Sequence, residues 1–340
     1  MFTMLGIATI GTSFITGAFI QAVQAEPLTK MVAVYSRTQA HGEQLVQSAG
    51  AADVPVKTSL AEVLADPAVD IVYIASPNSL HFQQTRAALL AGKHVITEKP
   101  AFTNPAQFAE IERILNSRPT QYYFEAARHI HTPNFKRLQQ ALEGHQVSGA
   151  AFSYAKYSSR YDALLAGQTP NIFSPRFAGG ALQDLGVYLV YAAVALFGKP
   201  LAAHYLPTML ESGVDGGGIG RLDYNGFNVV LRPDKTVESR LPSEIYLGKD
   251  TLWTENIAEL PSVRLYHGNG EDYTDLGTAQ PANGMGPELH DFATIIQDKD
   301  RSRFADLLQL SARVNEVLFA MRQDAGIQFP VNVEAVPIDE

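Results

Sequence analysis

Over its first third the chain alternates short, continuously apolar runs with amphipathic stretches, and no other feature of the sequence restricts the fold as much. The runs at 4–10, 31–35, 71–75, 94–98 and 122–124 have the composition of strands buried on both faces. Between them lie helical stretches at 15–25, 39–49, 59–64, 82–91 and 105–115, with a short edge strand expected at 54–56. Ser59, with Glu62 three residues on, forms a capping box, and Gly92 supplies a C-cap. Strands alternating with helices in this way imply a doubly wound parallel sheet, whose ligands bind beyond the carboxyl ends of the strands.

Near Glu125 the hydrophobic period shifts from 3.6 to 2. One more helix is expected at 133–142, followed by extended segments at 150–157, 203–209, 218–231, 236–241 and 244–247. Hairpin-like signals stand at Asp223-Tyr224-Asn225-Gly226 and at Arg232-Pro233-Asp234-Lys235. The reading is therefore a first α/β domain over 1–124 and a second, α+β domain over 125–340 with a mainly antiparallel open sheet. Helices at 286–297 and 304–324 close the chain and are expected to pack back on the molecule. A sheet with one face free of helices exposes apolar area unless a partner covers it, which leads us to expect a homodimer or homotetramer.

The 340 residues are 46% hydrophobic and 18% charged, enough to bury two cores of ordinary size. A formal net charge of -9 argues against a nucleic-acid surface. The absence of Cys removes disulfides and thiolate chemistry, and no metal-spaced cluster of His and carboxylates is apparent, so no metal is inferred. Residues 1–25 are apolar and end in Ala22-Val23-Gln24-Ala25, superficially like a secretory signal. The first basic residue is Lys30, however, and Gly11 and Gly17 interrupt the apolar run, so a strand, a turn and a helix are expected instead. No stretch reads as a membrane span, and a cytoplasmic protein is expected.

In that first turn, Gly11-Thr12-Ser13-Phe14-Ile15 opens a helix, where N–H groups and the helix dipole favour the pyrophosphate of a dinucleotide. The usual fingerprint has Gly at its first and third positions; Ser13 replaces the second of these. The next buried strand ends in Ser36-Arg37-Thr38. An NAD site usually offers a carboxylate there to the ribose hydroxyl, whereas an Arg suits the additional phosphate of NADP, so NADP is favoured over NAD.

Two further stretches carry chemistry. The strand His94-Val95-Ile96-Thr97-Glu98 runs directly into Lys99-Pro100, and a cation at the carboxyl end of a parallel strand points toward the ligand crevice. Upstream lie Ser76-Pro77-Asn78-Ser79-Leu80-His81 and Ala91-Gly92-Lys93-His94-Val95. Together these motifs resemble the Gfo/Idh/MocA family of nicotinamide-dependent oxidoreductases, over about two dozen contiguous residues with weaker correspondences along most of the chain. The second stretch is Ala178-Gly179-Gly180-Ala181-Leu182-Gln183-Asp184-Leu185-Gly186-Val187-Tyr188. The family shows three glycines, an Asp and, four residues later, a His; here Ala178 takes the place of the first Gly and Tyr188 that of the His, as in the dihydrodiol dehydrogenase and glucose-fructose oxidoreductase branches.

The resemblance implies a Rossmann domain that binds a nicotinamide cofactor and a second domain for substrate and oligomerisation. It implies cofactor contacts from Gly11, Thr12, Ser13, Phe14, Ile15, Ser36, Arg37, Ser76, Pro77, Asn78, His81, Glu98 and Lys99. Lys99, Asp184 and Tyr188 are the implied catalytic residues, and they contact substrate together with Arg128. Tyr188 is the implied proton carrier, assisted by the ammonium of Lys99, with Asp184 orienting substrate or Lys99; Glu98 is assigned a largely structural part. His129, His131, Arg160, Tyr161 and Arg176 are further candidate substrate contacts. The implied activity is hydride transfer between nicotinamide and a sugar, polyol, diol or related carbonyl compound, a small carbohydrate-like molecule. The same fold serves non-catalytic cofactor-binding sensors and redox-neutral hydrolases or lyases, and the presence of both Lys99 and Tyr188 favours the dehydrogenase.

Overall fold

The computed structural model describes residues 4–330. The described chain divides into two units, one comprising residues 4–126 with Pro281–Gln309, the other Ala127–Gln280 with Leu310–Pro330.

The first unit opens with β1 (Leu5–Ile10), α1 (Phe14–Ala25), β2 (Thr29–Tyr35), α2 (Gln39–Ser48), β3 (Val56–Lys57) and α3 (Leu60–Ala65). It continues with β4 (Ile71–Ile74), α4 (His81–Leu90), β5 (His94–Glu98), α5 (Pro105–Asn116) and β6 (Tyr123–Ala126). The six strands are all parallel, in the order β3-β2-β1-β4-β5-β6. This is the doubly wound Rossmann arrangement, with the reversal of strand order between β1 and β4. Ile71, Val72, Tyr73 and Ile74 are completely buried, as the unbroken apolar run required. The Ser59 hydroxyl accepts the Glu62 N–H at 3.3 Å, which fixes the start of α3. The edge strand sits one to two residues later than its apolar run suggested.

Burial also sets a pH response in this unit. The Nδ1 of His94 accepts the Tyr122 N–H at 3.2 Å, a bond that needs the neutral ring. Burial is the main cause that pushes the His94 pKa down from 6.5 to about 4, with Arg301 acting in the same sense and Asp70 against it. As pH falls, the unfolded chain takes up this proton first, so stability is lost between about pH 6.5 and pH 4. The loss assignable to His94 is expected to reach about 3 kcal/mol. Denaturant unfolding of His94→Gln should therefore show a shallower acid-side fall than wild type, and parallel curves would refute the assignment.

The second unit contains α6 (Pro133–Leu142), β7 (Gly149–Ala155), α7 (Tyr161–Leu165), α8 (Val187–Phe197), β8 (Ala202–Met209), β9 (Asp215–Tyr224) and β10 (Phe227–Asp234). Then follow β11 (Ser243–Leu247), β12 (Asp250–Thr254), β13 (Arg264–Tyr266) and β14 (Tyr273–Asp275). They form one sheet in the order β14-β13-β12-β11-β7-β10-β9-β8, antiparallel except for the pair β7 and β10. Tyr224 and Phe227 pair across Asn225-Gly226, with Gly226 at φ +88, so this hairpin forms where its turn residues stand. One face of the sheet, with Tyr205, Leu222, Val229, Leu231 and Ile245, enters the unit's core together with the residues of α8.

Four expectations are corrected. Arg232-Pro233-Asp234 makes no hairpin; it lies inside β10, where Pro233 pairs with Tyr154 of β7. Residues 236–241 form no strand. The Asp234 carboxylate accepts the Thr236 N–H at 2.8 Å, and Ser239 N–H turns to the Ala155 carbonyl, so the chain bends out of the ladder. The division between units falls after Ala126, and 281–309 return to the first unit. There α9 (Gly286–Asp298) packs on α1, Phe292 stacks on Phe124 at 4.4 Å, and the guanidinium of Arg301, which opens α10 (Arg301–Asp324), lies 4.5 Å from the Tyr122 ring. Among the described residues one run, Pro175–Phe197, is apolar and long enough to cross a membrane by length and composition; 78% of its window is buried, because it supplies the central helix of the second unit.

Candidate active site

Since β1, β2, β4 and β5 are parallel neighbours, their carboxyl ends share one edge, and every cofactor position read from the sequence lies on it. Gly11 ends β1 at φ +117, and a Cβ there would collide with the Ala75 carbonyl beyond β4, so only glycine allows these turns to approach. Ser13 is the N-cap of α1, with an extended backbone and no side-chain cap bond, and no acidic residue stands in the first helical turn. Thr12, Ser13 and Phe14 are exposed. This end of α1 fits a pyrophosphate: its N-cap makes no side-chain cap bond, two hydroxyls flank it and its first turn carries no carboxylate.

At the end of β2, Ser36 is buried and its Oγ accepts the Thr38 N–H at 3.4 Å, while Arg37 is exposed. Beyond β4, Ser76 Oγ donates to the Gln84 side chain at 2.6 Å, and Asn78 begins a single 3-10 turn ahead of α4. His81 is buried, with Nε2 2.8 Å from the Ser76 carbonyl and Nδ1 3.0 Å from the Pro100 carbonyl. Burial lowers its pKa below the ordinary histidine value, against those carbonyls, which favour the protonated ring. Its ring ties the β4 turn to the Lys99-Pro100 turn. Glu98 is buried and accepts the Tyr73 hydroxyl at 2.6 Å, and Tyr73 in turn stacks on Phe19 of α1 at 3.6 Å. Lys99 is half-buried, and its bond to Pro100 is cis.

In the second unit, Tyr188 lies near the start of α8 and is largely buried. Its ring meets those of Tyr154 edge-on at 5.5 Å and His129 at 5.0 Å, and its carbonyl lies 3.1 Å from His129 Nε2. Within this unit the charge of Arg128 bears on the phenol, and Arg128 is ion-paired with Glu259 at 2.7 Å. Burial opposes the Arg128 charge, but Tyr188, Glu259 and Tyr154 outweigh it and raise the pKa above the ordinary arginine value. Tyr154 also donates to Glu259, at 3.3 Å.

Asp184 lies on a π-helical turn, Leu182–Gly186, that leads into α8. Its ion-pair partner within the unit is Lys235, a residue read from the sequence only as part of a turn. Gly179 and Gly180 also differ from expectation in what they approach. A Cβ on Gly179 would strike the Ile172 carbonyl, and one on Gly180, at φ +117, the Asp215 carboxylate. The close approach is to the protein itself. Asp215 accepts the Leu182 N–H at 2.7 Å and the Tyr205 hydroxyl at 2.8 Å, anchoring the start of the turn; burial raises its pKa, with these hydrogen bonds opposing. Ala178, where the family pattern has its first glycine, adopts the left-handed conformation at φ +53.

Of the remaining candidates, His129 contacts Tyr188 within this unit. His129 and His131 are buried beside α6, Arg160 and Arg176 are exposed, and Tyr161 packs on Tyr157 and Phe173. Glu259, Tyr154, Lys235 and Asp215 were not recognised from the sequence. Each is an ordinary polar residue without a local motif, and each acquires its partner through long-range pairing.

Residues 5–126 match the oxidoreductase family Gfo/Idh/MocA, described by its NAD-binding Rossmann fold. An uncharacterized oxidoreductase of Escherichia coli is 36% identical over 97% of this chain and 99% of its own length. A scyllo-inositol 2-dehydrogenase (NADP(+)) of Bacillus subtilis is 32% identical over 97% and 99%. Among solved structures, a 3-ketoreductase from Actinomadura kijaniata, in complex with NADP and TDP-benzene, superposes with a TM-score of 0.81 at 21% identity, covering 95% of this chain and 98% of that one, and so shares the fold. With full-length relatives above 30% identity and the Rossmann edge built as described, this chain belongs to the Gfo/Idh/MocA family of oxidoreductases.

Proposed function

We propose that the protein is an NADP-linked dehydrogenase or reductase that interconverts a secondary alcohol and its carbonyl on a sugar, polyol or related vicinal diol. The observation that carries this reading is the Tyr188 phenol with the charge of the Arg128 guanidinium bearing on it; Lys99 stands at the carboxyl edge of the first unit. The Bacillus subtilis relative, named for NADP(+) and scyllo-inositol, supports the cofactor and the substrate class. When bound, the nicotinamide supplies or accepts the hydride.

The chain's own groups manage the rest. The open end of α1 holds the pyrophosphate, and Arg37 takes the ribose phosphate. Tyr188 gives a proton to the forming alkoxide or removes one from the hydroxyl. NADPH consumption against aldoses, ketoses, inosose-type ketones and dicarbonyls, and NADP+ reduction with the corresponding alcohols, tests the reading. Turnover of a polyol or sugar supports it; cofactor binding without turnover across the panel would point to a sensor instead.

We further propose a homodimer or homotetramer built on the outer face of the eight-stranded sheet. Leu206 and Ile219 are direct cross-strand partners, 73% and 57% exposed, and Val230, 44% exposed, lies opposite Arg221 on the same face. An apolar row of this kind is costly in water. Light scattering is expected to give at least twice the monomer mass, with Ile219→Asp shifting the protein toward monomer. A monomeric wild type at working concentration would remove the proposal.

A further inference from the structure

Lys235 stands just beyond β10 with a side chain only 2% exposed, so the second unit encloses a whole ammonium group. An interior position normally takes an apolar side chain, because a charge taken from water must be matched closely or it destabilises the fold. The surroundings of this ammonium are narrow. Its ion-pair partner is the Asp184 carboxylate, the Phe173 ring centre lies 5.1 Å away, and the Asp215 carboxylate feels its charge. The lysine backbone is held on both sides: its N–H donates to the Gly216 carbonyl at 2.7 Å, and its carbonyl accepts the Ser158 N–H at 2.9 Å.

The ion pair is asymmetric. Lys235 is sealed from solvent, whereas the Asp184 side chain is 33% exposed. Nothing dissolved can reach the ammonium, but a hydroxyl can reach the carboxylate. Asp184 is also fixed at its base, because Asp215 holds the Leu182 N–H at the head of the same π-helical turn. The carboxylate is thus anchored through its backbone on one side and through its charge on the other.

We propose that Lys235 is a positioning residue that pins Asp184, in one orientation and as a hydrogen-bond acceptor only, against a substrate hydroxyl next to the reacting carbon. This rests on the dehydrogenase reading above and deepens it to a substrate class: compounds with a free hydroxyl donor adjacent to the carbon that is oxidised or reduced. A pinned carboxylate has no proton to offer an ether or a methyl-capped oxygen, so it rejects them.

The test compares the panel compound with the highest kcat/KM against its analogue lacking the neighbouring hydroxyl, in wild type, Lys235→Met, Lys235→Arg and Lys235→Gln. Wild type should prefer the hydroxylated compound by about 10-fold or more, the scale of a hydrogen bond to a charged group. Lys235→Met should lose most of that preference, with NADPH affinity near wild type, and Lys235→Arg should recover part of it. Loss of activity on both compounds in equal proportion, or a preference that survives Lys235→Met, would overturn the proposal. Should Lys235→Met fail to fold, Lys235→Gln, whose shorter uncharged amide cannot form the ion pair, decides in the same way: a retained preference overturns the proposal. Calorimetric affinities for the two compounds with NADP+ bound read the preference without turnover, so a failed activity assay counts against the dehydrogenase reading while the affinity ratio still judges Lys235.

Discussion

Tyr188→Phe is expected to lower turnover by about 10²-fold or more while NADPH affinity stays near the wild-type value. The substitution removes one oxygen and keeps the ring, so the contacts with Tyr154 and His129 persist and Arg128 retains its ion pair with Glu259. Stability should therefore change little, and a drop in rate reports proton transfer rather than packing. Lys99→Met should be similarly damaging. If the two groups serve one step, the double variant will be little slower than the slower single one, since residues acting as a unit are strongly non-additive. Multiplicative losses would mean that they serve separate steps. A Tyr188→Phe enzyme with near-normal turnover would make the tyrosine a packing residue and direct attention to Asp184 and His129.

The second large effect concerns cofactor choice. Arg37→Ala is expected to weaken NADP(H) binding by about tenfold or more, the scale of a charge-assisted contact to phosphate, and to leave NAD(H) nearly unaffected. No carboxylate stands at Ser36-Arg37-Thr38 to take a ribose hydroxyl, and Arg37 is exposed at the tip of β2. Ser36 is spent differently: it is buried, and its oxygen accepts the Thr38 N–H, so it shapes the turn that presents the arginine. Calorimetry with both cofactors checks the prediction. Equal affinities in wild type, or an NADP affinity untouched by Arg37→Ala, would show that the phosphate is read elsewhere.

The identity of the first unit's elements was legible because a strand buried on both faces, or a helix with one buried stripe, records its surroundings in its own spacing. Ile71 to Ile74 could scarcely be anything but a central strand, and the Ser59 cap acts over three residues. The second unit was harder. Its strands β13 and β14 are three residues long, too short for alternation to declare them, and 236–241 alternate like a strand although the Thr236 N–H goes to the Asp234 side chain and the Ser239 N–H to the Ala155 carbonyl.

The sequence by itself determined which candidate residues stand at a strand end or a helix start: Gly11 to Ile15, Arg37, Lys99 and the Asp184 to Tyr188 pair. Their positions follow from local dihedral and burial constraints that each short segment carries within it. Only the tertiary structure decided the partners of the charges. Arg128 meets Glu259 across 131 residues and Lys235 meets Asp184 across 51, separations set by sheet register and helix packing. A charged side chain has no period that announces its partner, because an ion pair depends on where two distant backbones come to rest and on how much water remains between them.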